Sequence, residues 1–574
     1  MLNAWARGPV LRNRGRPAPR QSPSGGLIDQ HEFVVGSLSR SVRRKRSRMA
    51  GRAMIAPPAL MAILCATGVA RSATLGVDLS WPAQYDTTTG STSYSTLPSQ
   101  CYFRADPVIA SSGPQLEVAT NANYGLLPAS GPSNKSFQER LADFFDGVIP
   151  SHNGVINPPQ VIYDQIGGPD GAGRFVLAAP IFDNVAKRSW LAIGTSAIKI
   201  NPLTPATDCI TAVDANLQPD GSTTNFWPDN ARLGMTADTV YIAADMRAFD
   251  ANSSFQYAKL WGLPKQNIYN IPLQSCPSGA GSFQIFSSLK NADGSFAAEV
   301  VPAKSYDPGS SVTYLLSAHF NGGNALNLWT VDSRKQSLSA AATVPIVAYS
   351  QPPPAPQKST TAVPSPPTIN TEDARLVNAV YQPNSGLWTV HTTACPWNPA
   401  ISCFKWYEID PVAGTTRQDA FFGYTVDSAY APAIAVSRNA ALFVFNSSSA
   451  NHFVNVDYVG RYAGDPTNTL PGNGFVLHSG VDVYTRGAPA FHSGADTDPT
   501  DDNRFWIAGA WASGNAGGRN ATCGDGTVNH DWVTQVATVS FKGPFPPPPP
   551  PQLQGAGSQL IPTRAGPIVT PSSP

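Results

Sequence analysis

The chain has 574 residues, only 13% of them charged, with 54 Pro and 48 Gly. Low charge and abundant turn formers weigh against a helical cytosolic protein and suit an all-β one. A net charge of +1 hides an asymmetry: residues 1–72 carry 13 Lys/Arg against 2 Asp/Glu, and the remainder carries a net −10, which argues against nucleic-acid binding by the folded body.

Residues 1–48 are polar and Arg-rich, ending in Arg43-Arg44-Lys45-Arg46-Ser47-Arg48. An apolar core follows at Ile55–Ala70, interrupted by Pro57 and Pro58, preceded by Arg52 and closed by small residues at Gly68-Val69-Ala70 or Ala70-Arg71-Ser72. These are the parts of a secretory signal, and the core is short for a membrane span of about 20 residues. Three readings of residues 1–48 stay open. Met49 or Met54 is the true start, or the segment is a long leader or membrane-anchor flank, or it is a basic nuclear or nucleic-acid-binding tail.

Loss of Cys65 with the signal leaves Cys101, Cys209, Cys276, Cys395, Cys403 and Cys523. An even set suits an oxidising compartment, with Cys395–Cys403 the favoured disulfide and free buried thiols the alternative. The absence of C-x-x-C weighs against zinc. Asn134, Asn252, Asn446 and Asn520 head glycosylation sequons.

Residues 73–100, rich in Ser, Thr, Tyr and Gly, are expected to be an extended lead-in. Ser136–Phe145 places Phe137, Leu141, Phe144 and Phe145 on one helical face and predicts a helix. From Arg174 onward a phrase recurs, two apolar, aromatic-rich runs joined by a turn. Its copies are Arg174–Phe182 with Ser189–Thr195, Thr239–Ala244 with Tyr257–Leu263, and Val312–Phe320 with Leu326–Val331. Later copies are Leu376–Tyr381 with Leu387–Val390, Ala433–Phe445 with Val454–Tyr462, and Arg504–Trp511 with Trp532–Phe541. Spacing near ~40–50 residues is that of a propeller blade, and a lone unit cannot bury both its faces. The fold class predicted is all-β, a β-propeller of six or seven four-stranded blades over residues 101–542. A Pro-rich interblade connector at 351–368 cannot be a central strand, because proline donates no ladder hydrogen bond. Residues 543–574 open with Pro544 and Pro546–Pro551, predicting polyproline II and then a disordered tail. No apolar C-terminal stretch signals a lipid anchor.

Several short motifs resemble secreted bacterial and algal propeller proteins of largely unassigned function, grouped with sialidase-like propellers. They are Gln160-Val-Ile-Tyr-Asp-Gln165 before Gly173-Arg-Phe-Val-Leu177, Asp229-Asn-Ala-Arg-Leu-Gly234, Ala374-Arg375-Leu376 with Leu387-Trp388-Thr389, Pro432-Ala-Ile-Ala-Val436, Tyr458-Val-Gly-Arg-Tyr462 with Gly464-Asp465-Pro466, and Asp498-Pro-Thr-Asp-Asp502 with Phe505-Trp506. The resemblance implies a propeller with an axial site. Two departures weaken the functional part. Asn157-Pro158-Pro159 stands where members carry Gly-Asp-Pro, and Arg486-Gly487-Ala488-Pro489-Ala490 where they carry Trp-Gly-Asp-Tyr-Ser. A carboxylate replaced by Ala or Pro no longer ligates a hard cation.

Glycoside hydrolysis needs two facing carboxyl groups, one with a raised pKa. Asp164, Asp229, Glu372, Asp373 and Asp465 lie within the matched motifs, with Arg232, Arg375 and Arg461 as clamps for a substrate carboxylate. The competing reading has these acids capping turns. Asp-box turns and a G-x-S-x-G elbow are missing. Asp496, Asp498, Asp501 and Asp502 form an acidic run that could hold structural calcium; no other cofactor is expected. Trp397 and Trp406, beside the Cys395/Cys403 loop, are candidates for a sugar-stacking platform, against the simpler reading of a small apolar cluster. The expectation is a secreted or cell-wall-associated monomeric propeller that binds polysaccharide or wall glycoprotein. It meets membrane only if the signal is retained, and binds no nucleic acid. The alternative is a sialidase-like or other glycoside hydrolase using axial carboxylates.

Overall fold

Successive strand residues face opposite ways, so a strand that is apolar throughout must be covered on both sides. The computed structural model describes residues 74–85, 106–120, 123–131, 137–149, 154–197, 209–269, 281–383, 385–484, 492–513 and 532–543. Among them the strands group into seven antiparallel four-stranded units. Blade 1 is Val108–Ser111, Gln115–Ala119, Asn123–Pro128 and Phe137–Arg140. Blade 2 is Gln160–Asp164, Arg174–Asp183, Arg188–Ala197 and Cys209–Asp214, with Gly154–Ile156 paired to the far end of its second strand. Blade 3 is Phe226–Met235, Thr239–Ala248, Phe255–Pro264 and Gln284–Phe286. Blade 4 is Val301–Ser305, Val312–Ser317, Gly322–Asp332 and Ala342–Ser350. Blade 5 is Asn378–Gln382, Gly386–Cys395, Asn398–Asp410 and Thr415–Phe422. Blade 6 is Ser428–Val436, Ala440–Ser449, His452–Tyr462 and Phe475–His478. Blade 7 is Gly494–Thr497, Arg504–Ala512 and Trp532–Lys542, completed by Thr74–Tyr85 from the other end of the chain.

The first strand of each blade touches the first strand of the next, and the seventh touches the first, so the ring closes. Seven separate apolar clusters fill the seven interblade spaces. Alternation produces them. Leu387 packs toward blade 4 while its neighbour Trp388 packs toward blade 6; Tyr241 faces blade 4 and Ile242 faces blade 2. Each buried large apolar side chain contributes about 1.5–3 kcal/mol, and every blade needs both neighbours to collect it. The axis is too crowded for side chains at some positions: a Cβ on Gly494 would lie 2.9 Å from the backbone of Pro107 and Val108.

Two expectations are corrected. The lead-in at 73–100 contains a ladder strand, Thr74–Tyr85, which covers the otherwise open edge of Trp532–Lys542. The helix expected over Ser136–Phe145 is confined to Leu141–Phe144, because Phe137–Arg140 pairs with Asn123–Leu126 as the outer strand of blade 1. The connector at 351–368 is ordered and joins blades 4 and 5. It arches over to blades 6 and 7, where Ala355 and Ile369 pack with Tyr430, Val454, Ala510 and Trp532. The Gln357 side chain donates to Pro367 and Tyr484 carbonyls, each at 2.7 Å, and accepts the Tyr484 N–H at 2.9 Å.

Candidate functional site

In an antiparallel meander the start of the first strand and the hairpin between the second and third strands lie at the same end. All blades therefore present these two features on one face, here called the upper face. Four non-glycine residues with left-handed backbone lie ahead of inner strands or at bulges in their first halves: Glu299 (φ 40°) and Glu372 (φ 63°) ahead of them, Asn230 (φ 50°) and Ala431 (φ 53°) at the bulges. Such conformations cost about 1–3 kcal/mol each and persist where the surroundings over-determine them.

A chain of charged groups runs across this face. The His492 imidazole, just before blade 7, is held between Asp106 (Nδ1 to Oδ1, 2.5 Å) and Glu372 (Nε2 to Oε2, 2.9 Å), which precede blades 1 and 5. Burial opposes its protonation, but the Glu372 and Asp106 carboxylates outweigh that and raise its pKa to about 10. Beside Glu372, Asp373 binds Arg375 through Nε and Nη2, the latter at 2.7 Å. Arg375 also reaches Glu299 at 3.1 Å and Asp245 at 3.2 Å. Burial works against the guanidinium charge, yet Glu299, Asp373 and Asp245 lift its pKa above the ordinary arginine value. Glu299 Oε1 and Asp373 Oδ2 lie 3.1 and 2.7 Å from the same Nη2, so they are within 5.8 Å of each other. Asp245 is fully buried; burial first, then the Glu299 charge, raises its carboxyl to about 7. Asn230 donates to Glu299 at 2.8 Å, Arg232 approaches Glu299 at 3.5 Å, and Arg247 binds Asp229 at 2.5 Å. Asn157, ahead of blade 2, donates to the Pro228 carbonyl at 3.3 Å.

Below this rim the axial cavity measures about 80 Å³ and is lined by residues in or beside the inner strands of all seven blades, among them Arg232, Lys304, Tyr306, His492 and Asp496. That is far below the roughly 300–1,000 Å³ of a small-molecule pocket. Lys304 spans it to Asp496 at 2.6 Å. The channel is therefore too small to admit a molecule of sugar size.

The predicted site residues separate. Asp229, Asp373 and Arg375 come together at the rim, with the buried Arg232 beneath it, lining the cavity and 3.5 Å from Glu299. Asp164 does not. It ends the inner strand of blade 2, on the lower face, fully buried, where it meets Lys265 Nζ and Tyr269 Oη at 2.7 Å and the Ile166 and Gly167 N–H groups at 3.0 Å. Asp465 accepts the Tyr462 N–H at 2.7 Å, a turn contact, and Arg461 is buried against Gln418. Of the acidic run, Asp496 is committed to Lys304 and to the Ser111 N–H. Asp498 accepts from Thr500, Asp501 from Asn503, and Asp502 faces Arg438 at 3.7 Å. Among the described residues no three His, Cys, Asp or Glu side chains form a group able to hold a metal ion.

Trp406 is wholly buried and stacks on Trp388 at 5.8 Å, so it is core and not a platform. Trp397 donates to the Tyr424 carbonyl at 3.1 Å and packs on the Cys395–Cys403 disulfide, whose Cα atoms are 5.0 Å apart. Cys209 is also disulfide-bonded. Asn446 is corrected as a glycan acceptor: it is buried and donates to the Asn455 and Ala510 carbonyls. Asn252 is exposed, and Asn134 and Asn520 lie outside the described residues. His492, Asp106, Glu299 and Asp245 were missed; the one available signal was a charged residue just ahead of, or facing, the start of an inner strand.

No protein-family model and no curated protein matches the chain. Solved structures similar to it include the β-propeller domain of the Trilobed protease from Pyrococcus furiosus (9% identity, 50% of this chain and 63% of that one, TM-score 0.25). The chain thus spans less than two thirds of that protein. Others are the exo-β-1,3-galactanase of Phanerochaete chrysosporium (12%, 81% and 96%, 0.27) and Trypanosoma rangeli sialidase (10%, 67% and 54%, 0.29). Scores this low carry no weight; the propeller stands on its own ring of pairings.

Proposed function

We propose that this protein is a secreted propeller that binds a neutral glycan on its upper rim. The observation that carries the reading is the part-exposed ion-pair array of Glu372, Asp373, Arg375, Asp229 and Arg247, whose side chains are 28, 20, 18, 21 and 21% exposed. Carboxylates and guanidinium groups already fixed against each other offer acceptors and donors side by side. Sugar hydroxyls, each both donor and acceptor, can bridge them at little ordering cost. Arg375 is shared among three carboxylates, which disfavours an anionic sugar. Disulfide bonding at Cys395, Cys403 and Cys209 supports an oxidising, extracellular setting. The polyproline tail supports attachment to a wall or matrix.

The test is affinity electrophoresis against a β-1,3-galactan, a xylan and a sialylated oligosaccharide. Retardation by a neutral polysaccharide, weakened at least tenfold by Asp373→Asn, supports the reading; mobility unaffected by every polysaccharide contradicts it. Glycoside hydrolysis is the second reading. It is favoured by one observation, the Glu299 and Asp373 carboxyl groups held within 5.8 Å of each other, 3.1 and 2.7 Å from the same Arg375 Nη2. Release of reducing ends, abolished by Glu299→Gln in a protein of unchanged melting temperature, would establish it.

A further inference from the structure

Resting on that reading, we propose that Phe320 is the stacking wall of the glycan site. It caps the upper-face hairpin between the second and third strands of blade 4 and is 53% exposed. Its carbonyl accepts the N–H of Ala374 at 3.2 Å, and Ala374 is flanked in sequence by Asp373 and Arg375. The preceding carbonyl, of His319, accepts the Tyr349 hydroxyl at 3.1 Å. Two successive carbonyls of the hairpin tip are therefore pinned, one of them to the segment that bears the rim ion pairs. A rigid aromatic beside fixed polar groups binds with little loss of side-chain freedom.

The ring also stands alone. His319 is polar, Asn321 and Gly322 follow, and no other large apolar side chain of the hairpin is exposed. A protein partner would be met by a contiguous apolar patch. A single ring among hydroxyl-matching groups suits a pyranose, whose C–H face lies on the aromatic while its hydroxyl edge turns to Asp373 and Arg375. This gives Phe320 the duty that buried Trp406 cannot perform.

The experiment uses the whole protein with the galactan and xylan of the panel above. Phe320→Ala is expected to weaken binding at least tenfold with unchanged melting temperature, because the residue is 53% exposed and the two hydrogen bonds that hold the tip are made by backbone carbonyls. Phe320→Trp is expected to retain binding and to shift its emission on titration with the polysaccharide. Phe475→Ala, at a 43% exposed aromatic on the outer strand of blade 6, is expected to leave affinity unchanged. Binding by Phe320→Ala within twofold of the parent, while Asp373→Asn loses it, overturns this inference and leaves the glycan reading standing. Absence of binding by the parent protein overturns both.

Discussion

Asp106 and His492 are 386 residues apart in the chain, yet the carboxylate of one lies 2.5 Å from the imidazole of the other. The contact joins the approaches to the first and last blades, and Glu372 adds blade 5. A raised His492 pKa has a fixed sign. The imidazolium's contribution to stability is complete below about pH 6.5, its unfolded value, and is lost as pH rises through its folded value of about 10. The denaturant midpoint should therefore fall across that window, and His492→Asn should flatten the fall. An unchanged profile in the variant would remove His492 from the account.

Asp245 follows the same rule with a different window. Its folded carboxyl titrates near 7 against about 3.8 unfolded, so its favourable contribution is complete below the lower value and gone above the higher. Carboxyl NMR should find one aspartate midpoint near neutrality that vanishes in Asp245→Asn. That substitution should also weaken the pH dependence of stability between about pH 4 and 7.

Asp164 is a test of position. Asp164→Asn leaves the Lys265 ammonium buried beside a neutral amide, a loss of about 3–5 kcal/mol where a buried pair is broken. Urea unfolding should register that loss, whereas glycan retardation of the folded fraction should match the parent.

Deleting residues 74–85 exposes the edge of Trp532–Lys542. The truncated chain should aggregate or lose cooperative unfolding, and adding the missing strand as a peptide should restore some of it. A truncated protein as soluble and as stable as the parent would contradict the closure.

Glycan mapping of protein made through a eukaryotic secretory pathway should find Asn252 occupied and Asn446 bare, since the Asn446 amide is spent on two buried carbonyls.

Much of the ring could be read from residues. The recurring apolar phrases correspond to strands of blades 2 to 7 because inner and middle strands are covered on both faces, which makes them continuously apolar. Blade 1 escaped: its strands carry Gln115, Glu117 and Asn123, polar groups buried in the fold but indistinguishable from surface in sequence. Thr74–Tyr85 escaped because its partner lies at the opposite end of the chain. The same distance explains the site. Asp229 and Arg232, within an inner strand, and Asp373 and Arg375, ahead of one, sit in short motifs and were visible. Glu299 and His492 acquire meaning only from partners brought by other blades. Trp406 misled because an aromatic beside a disulfide loop looks alike whether it faces solvent or the next blade.

Hydrogen exchange with and without bound neutral polysaccharide tests the central claim most directly. Protection is predicted at residues 228–232, 298–300, 317–322 and 372–376, four segments of one rim drawn from three blades. Protection confined to outer strands, or none at saturating polysaccharide, would contradict a glycan site on the upper face.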